Sequence, residues 1–126
     1  MTDKPYNISQ LAREFDITTR TIRFYEEKGL LQPAREGQKR LYSNADRVRL
    51  SLILRGKRIG LSLEESRDII EMYTPGADND EQLRLLIDKI SQRRRLLTQQ
   101  MADIQHVLQE LDEVEARCLR ALNTNH

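Results

Sequence analysis

Tryptophan is absent from this 126-residue chain, and cysteine occurs once, at Cys118. A single cysteine excludes an intrachain disulfide framework and an iron–sulfur cluster held by several thiolates, and it fits a reducing compartment. Glycine occurs five times and proline three times, and neither falls between Glu81 and Leu122. Aromatic residues are 5% of the chain, and apolar content is 38% against 33% charged. That balance is lean for a large globular core and ordinary for a chain with an extended helix. No apolar run approaches the roughly 18 residues of a membrane span, and the polar start Met1–Tyr6 does not read as a signal peptide. The expectation is a cytoplasmic protein without a membrane partner. There is no nucleophile–base pair, no metal-ligand cluster and no Gly-rich phosphate loop, so no enzyme chemistry or metal site is expected. His106 and His126 stand alone and read as a solvated histidine and a tail residue rather than as ligands.

What charge there is lies unevenly. Residues 1–60 hold 13 Lys+Arg against 7 Asp+Glu, while residues 61–126 hold 8 against 13, so a head of +6 precedes a segment of −5. A basic head on an acidic rod points to a polyanion at the N-terminal end; chance partition in a charged chain is the bland alternative.

Within the head, TTRTIRFYEEKGLL (Thr18–Leu31) reads as a helix, with Thr18 as N-cap, an Ile17–Ile22 staple and Gly29 as the C′ residue. At about 100° per residue, Ile22 and Tyr25 share the core side. Arg20, Arg23, Phe24 and Glu27 share the other. Two fork-shaped cations beside an exposed aromatic suit base reading in a groove, and a solvated surface helix is the plain alternative. Upstream, Asn7 and Gln10 form a capping box with a Tyr6–Leu11 staple, and Ile8, Leu11, Ala12 and Phe15 form an apolar stripe. Two capped helices about a tight turn at Asp16-Ile17-Thr18 make a helix-turn-helix, predicted at about 7–28.

LQPAREGQKRLY (31–42) predicts a two-stranded wing at about 32–42, turning at Glu36-Gly37. Arg35, Lys39 and Arg40 crowd it, fitting a wing that grips phosphates or a charged loop. Tyr42 either packs at the wing base or gives its hydroxyl to a phosphate. Capping boxes at Ser43–Asp46 and Ser62–Glu65 start a second helix pair at about 43–73. Its first helix fades between Gly56 and Gly60, where Lys57 and Arg58 form a second basic turn that either touches DNA backbone or is solvated.

Thr74 to Asp80 breaks the helix and marks the domain boundary, giving a head at 1–75 and a rod at 76–126. With Leu83 at position a, ten of twelve a/d positions are apolar or Cys: Leu83, Leu86, Ile90, Leu97, Ile104, Val107, Leu111, Val114, Cys118 and Ala121. Arg93 and Gln100 are the exceptions. Such a heptad over five to six repeats predicts a coiled coil. It has no internal partner of its length, so it pairs with a second chain; a long helix packed on its own head is the alternative. Cys118 reads as a seam residue.

ISQLAREF (8–15), TTRTIRFYEEKGLL, REGQKRLY (35–42) and LRGKRIGLSLEE (54–65), in this order, resemble the MerR family of bacterial transcription regulators. The resemblance implies a mainly α fold: a winged helix-turn-helix DNA-binding domain with a small β-hairpin wing, followed by a long dimerising coiled-coil helix. It further implies an antiparallel homodimer on a pseudo-palindromic promoter, whose overlong spacer is bent and untwisted for RNA polymerase. By position, Arg20 and Arg23 would enter the major groove, Arg35, Lys39, Arg40 and Tyr42 would hold phosphates, and Thr19 would add a phosphate contact. Phe24, Tyr25 and Lys57 complete the implied DNA-binding set. Two departures stand out: Phe24 where many members have Tyr, and Gln38-Lys39-Arg40 where Gly-Tyr-Arg is usual. The helix start lacks the cysteines of metal-sensing members, and the chain ends at His126 without the large C-terminal domain of drug-sensing ones. GQKRLYS, ILRGKRIG and LDEVEARC look most like the branch regulating leucine and isovalerate breakdown, which would make an acyl-CoA or branched-chain metabolite the effector. No resident cofactor is implied. The competing function is a coiled-coil chromosome-organising or interaction protein that binds DNA through charge alone.

Overall fold

The computed structural model describes residues 4–124, so the reading of His126 and the first three residues of the polar start lie outside it. The order is α1 (Ile8–Phe15), α2 (Thr19–Glu27), β1 (Ala34–Glu36), β2 (Lys39–Leu41), α3 (Asn44–Arg58), α4 (Leu63–Glu71) and α5 (Asp80–Thr124). The fold is mainly helical, with one antiparallel hairpin and a long C-terminal helix, as the sequence predicts.

Each short helix begins where its cap is written. Asn7 Oδ1 accepts the Gln10 N–H at 2.8 Å, and Gln10 Oε1 accepts the Asn7 N–H at 2.8 Å. Ser43 with Asp46, and Ser62 with Glu65, repeat this reciprocal arrangement, while Thr18 Oγ1 accepts the Thr21 N–H. Satisfying otherwise orphaned donors stabilises each start by about 1 kcal/mol. The α1–α2 turn places Asp16 in the left-handed region at φ 53°, which a short polar side chain tolerates. At the end of α2, the Gly29 N–H donates to Glu26 O at 2.9 Å and the Leu30 N–H to Tyr25 O at 3.0 Å. This paired closure needs the positive φ that Gly29 supplies, 76°. Arg67 of α4 donates to the carbonyl of Lys28, adding a cation at the negative end of α2.

One sequence expectation shifts. The strands pair Glu36 with Lys39, so the loop is Gly37-Gln38 rather than Glu36-Gly37. Only Gly37 there has a positive φ, the II′ pattern whose twist matches the flanking strands. The end of α3 at Arg58 falls between Gly56 and Gly60 as expected, with Gly56 buried inside the helix. A Cβ on Gly56 would lie 2.9 Å from Ser66 Oγ and 3.4 Å from Leu61 Cδ1. Glycine here lets α4 approach α3, and packing outweighs its poor helix propensity. A Gly56→Val variant is expected to lose about 1–3 kcal/mol through overpacking, seen as a lower midpoint of thermal unfolding. An unchanged midpoint would show that the α3–α4 contact has slack.

Leu11, Ile22, Leu31, Tyr42, Leu50 and Ile53 form the centre of the head's core, each at most 2% exposed. Phe15 and Ile17 pack on its edge. Between α4 and α5, Asn79 staples the connecting turn: its Oδ1 accepts the Thr74 N–H at 2.7 Å and its Nδ2 donates to Thr74 O and Ala77 O. The compact unit holding the head extends to Lys89. Within it, the buried Gln82 donates through Nε2 to the Ile69 carbonyl of α4 at 2.9 Å. Lys89 Nζ lies 3.9 Å from Glu65 Oε2 and 3.8 Å from Asp68 Oδ2. These ties place the first turns of α5 with the head.

From Ile90 onward the chain forms a second unit. Along it Leu97, Ile104, Val107, Leu111 and Val114 are exposed, as is Cys118. Leu83, earlier in α5, is also exposed, while Leu86 and Ile90 are partly covered. Among the described residues no helix is long and apolar enough to cross a membrane.

Candidate nucleic-acid interface

The core decides which face of α2 is free. Ile22 and Tyr25 are buried, and that fixes Arg20, Arg23 and Phe24 outward, with Thr19 half-buried at the helix start. Among the described residues, Arg20 and Arg23 make no ion pair, so both guanidiniums keep their full set of donors for a partner. Phe24 is 45% exposed, an apolar surface beside the two arginines. Its ring tilts against Tyr25 at 5.6 Å, and Lys28 Nζ lies 5.6 Å from its centroid.

The wing is tied to this helix through one carboxylate. Arg35 Nη2 donates to Glu26 Oε1 at 3.0 Å, and Arg40 Nε donates to Glu26 Oε2 at 2.7 Å. The Tyr42 hydroxyl donates to the same Oε2 at 3.4 Å. Lys39 is exposed and, among the described residues, unpaired. Lys57, near the end of α3, lines a shallow groove with Phe24, Leu61 and Leu63, so the second basic turn adjoins the free face of α2.

Two members of the predicted DNA-binding set are core residues instead. Tyr25 is 4% exposed and Tyr42 is 0% exposed, so neither ring presents a surface to a phosphate. For Tyr25 the helical spacing with Ile22 dictates this. For Tyr42 the cause is the paired backbone bonds with Tyr6, each 2.8 Å, which turn the ring inward. Burial, reinforced by the Glu26 carboxylate, pushes the Tyr42 hydroxyl up to about 12 from 10.0. A raised folded-state pKa on an acid means that the fold favours the neutral form. This contribution is intact below pH 10 and is lost as pH rises from 10 toward 12. In an ultraviolet titration the last tyrosine step is expected near pH 12, and Tyr42→Phe should remove it. Persistence of that step in the variant would assign it elsewhere.

Sequence reasoning missed Glu26. Helical projection puts it at the border between the buried Ile22 and the exposed Arg23, and only the position of the wing gives it partners. The sequence marks Asp46 only as a cap, yet it is 1% exposed and also accepts from Gln32 and Arg49. Among the described residues no group of three or more His, Cys, Asp or Glu could hold a metal ion.

Comparison with known proteins bears on this geometry. Residues 6–73 match the profile described as MerR HTH family regulatory protein, and residues 47–114 match that described as MerR, DNA binding. The HTH-type transcriptional regulator CueR of Escherichia coli is 30% identical over 119 residues, covering 93% of this chain and 81% of CueR. The regulator YfmP of Bacillus subtilis is 36% identical over 109 residues, 84% of this chain and 77% of YfmP. Among solved structures, HiNmlR, a regulator lacking the sensor domain and bound to promoter DNA, superposes with a TM-score of 0.58 at 26% identity. That match covers 82% of this chain and 78% of HiNmlR.

Proposed function

The chain belongs to the MerR family of DNA-binding transcription regulators, and from that premise we propose that it acts as a homodimer on a pseudo-palindromic promoter. It is a regulator, not an enzyme, as the similar proteins are. One observation carries the reading of the head: two guanidiniums without an ion pair among the described residues stand beside an exposed aromatic on α2, whose opposite face is locked into the core.

In this reading, residues 1–75 bind DNA and residues 76–126 dimerise. Arg20 and Arg23 enter the major groove, where an Arg fork matches guanine O6 and N7. Phe24 meets a thymine methyl or sugar. Thr19, Arg35, Lys39, Arg40 and Lys57 face phosphates. The exposed stripe of Leu97, Ile104, Val107, Leu111 and Val114, with Leu83, Leu86, Ile90 and Cys118, pairs with a second copy in antiparallel fashion. The dimer bends and untwists an overlong promoter spacer so that RNA polymerase can use it. Such distortion costs several kcal/mol and is offset by the backbone contacts. The motifs GQKRLYS, ILRGKRIG and LDEVEARC support a role in branched-chain amino acid or isovalerate catabolism, with an acyl-CoA or branched-chain metabolite as effector.

A footprint of the purified protein upstream of its own and neighbouring genes tests this. Protection of a palindrome between the two promoter elements is expected; diffuse protection that vanishes with modest salt would overturn it in favour of a charge-driven DNA binder. Arg23→Ala should cost about 1–3 kcal/mol on the operator and relax base preference at one position. Equal loss on every sequence would remove base readout from Arg23.

A further inference from the structure

We propose that Glu26 is the positioning residue of the DNA interface: one carboxylate sets both wing guanidiniums beside α2 and leaves the fork of Arg23 unpaired. The inference rests on the reading of the wing as a phosphate clamp and adds what holds that clamp in place.

A negative charge beside a polyanion site should weaken binding, so its presence calls for a reason. Only 16% of the Glu26 side chain is exposed, and its two oxygens are divided between two arginines, Oε1 to Arg35 at 3.0 Å and Oε2 to Arg40 at 2.7 Å. The three groups together carry +1, so the cluster still attracts phosphate. Arg35 spends one Nη2 donor and Arg40 only its Nε, which leaves N–H groups on each guanidinium for a second acceptor. Flexible arginines fixed in this way lose less freedom when DNA arrives. The Tyr42 hydroxyl steadies the same carboxylate from below, anchoring the arrangement to the core.

The second effect is on the reading helix. Arg23 lies three residues before Glu26, close enough on a helix for an ion pair. With both Glu26 oxygens occupied by the wing, that pair does not form and the Arg23 fork stays open. Glu27, four residues beyond Arg23, is exposed and holds no ion pair among the described residues. One carboxylate therefore aligns the phosphate contacts and itself stays off the Arg23 fork.

The sign of the effect makes this testable on the intact protein. Glu26→Gln removes a negative charge at the interface, and electrostatics alone would strengthen binding to all DNA. Positioning predicts the opposite on the operator: about tenfold weaker binding. The slope of log affinity against log salt should become shallower by as much as about two, as two phosphate contacts are lost. The deciding variant is Glu26→Gln combined with Arg35→Ala and Arg40→Ala. If Glu26 acts through these arginines, the triple variant binds no more weakly than the arginine double variant. A folding defect of Glu26→Gln would persist in that background and overturn the proposal, as would unchanged or stronger binding by the single variant. If the arginine double variant itself binds normally, the clamp reading fails first and the proposal with it. If it binds weakly while Glu26→Gln does not, only the role of Glu26 is lost.

Discussion

Asp46→Ala is expected to destabilise the head by about 3–5 kcal/mol, the range for removing one partner of a buried charged pair. Asp46 is 1% exposed, and its carboxylate is shared among three segments. Oδ1 accepts the Gln32 N–H at 3.2 Å and Arg49 Nη1 at 3.3 Å; Oδ2 accepts the Ser43 N–H and the Ser43 hydroxyl, each at 3.2 Å. Arg49 keeps 26% of its side chain exposed and can rehydrate, so most of the loss comes from the orphaned Gln32 and Ser43 donors and favours the lower end. These donors join the end of α2, the wing base and the start of α3, so the defect should weaken DNA binding together with stability. Asp46→Asn retains one acceptor oxygen and should lose clearly less. Denaturant unfolding of the two variants decides the matter: a loss below about 1 kcal/mol for alanine would mean that water replaces the carboxylate.

The second large effect is expected in the rod. Ile104 and Leu111 are 60% and 59% exposed in the single chain, a costly placement unless a partner covers them. Burying such a side chain contributes about 1.5–3 kcal/mol, and each position occurs twice in a homodimer, so Ile104→Asp with Leu111→Asp removes roughly 6–12 kcal/mol from association. This is enough to abolish a nanomolar dimer. Sedimentation should show a monomer at micromolar concentration, with operator affinity reduced more than a hundredfold as the two half-sites cease to be bound together. A variant that stays dimeric would show that the seam lies on another stripe of α5.

Much of this fold was legible because its signals are local. Asn7-Gln10, Ser43-Asp46 and Ser62-Glu65 state their helices within four residues, and the period of Ile22 and Tyr25 names the buried side of α2. What escaped depends on contacts distant in sequence. No local signal marks Gly56 as a packing residue; only the approach of Ser66 and Leu61 makes it one. The wing turn moved by one residue because the choice rests on which position takes a positive φ. Tyr25 and Tyr42 enter the DNA-binding set only through the family resemblance; the spacing of Tyr25 with Ile22 and the packing alternative for Tyr42 already point to the core, where both rings lie. Glu26 meets partners 9 to 16 residues away and Asp46 meets Gln32 14 residues away, and no periodicity encodes such pairings.

The lone thiol that excludes an intrachain disulfide has a practical use. Cys118 is the chain's only cysteine and it is exposed on α5 in the single chain, so a small nitroxide reagent applied to the unfolded or dissociated chain before assembly would label one site per chain without any prior mutagenesis. In a homodimer the two labels report a single distance. Head-to-head alignment of the rods would bring both sulfurs within reach of a short crosslinker, while head-to-tail alignment would hold them tens of ångströms apart at about 1.5 Å per residue. One pulsed-resonance trace on the unmodified sequence would thus assign the polarity of the pair.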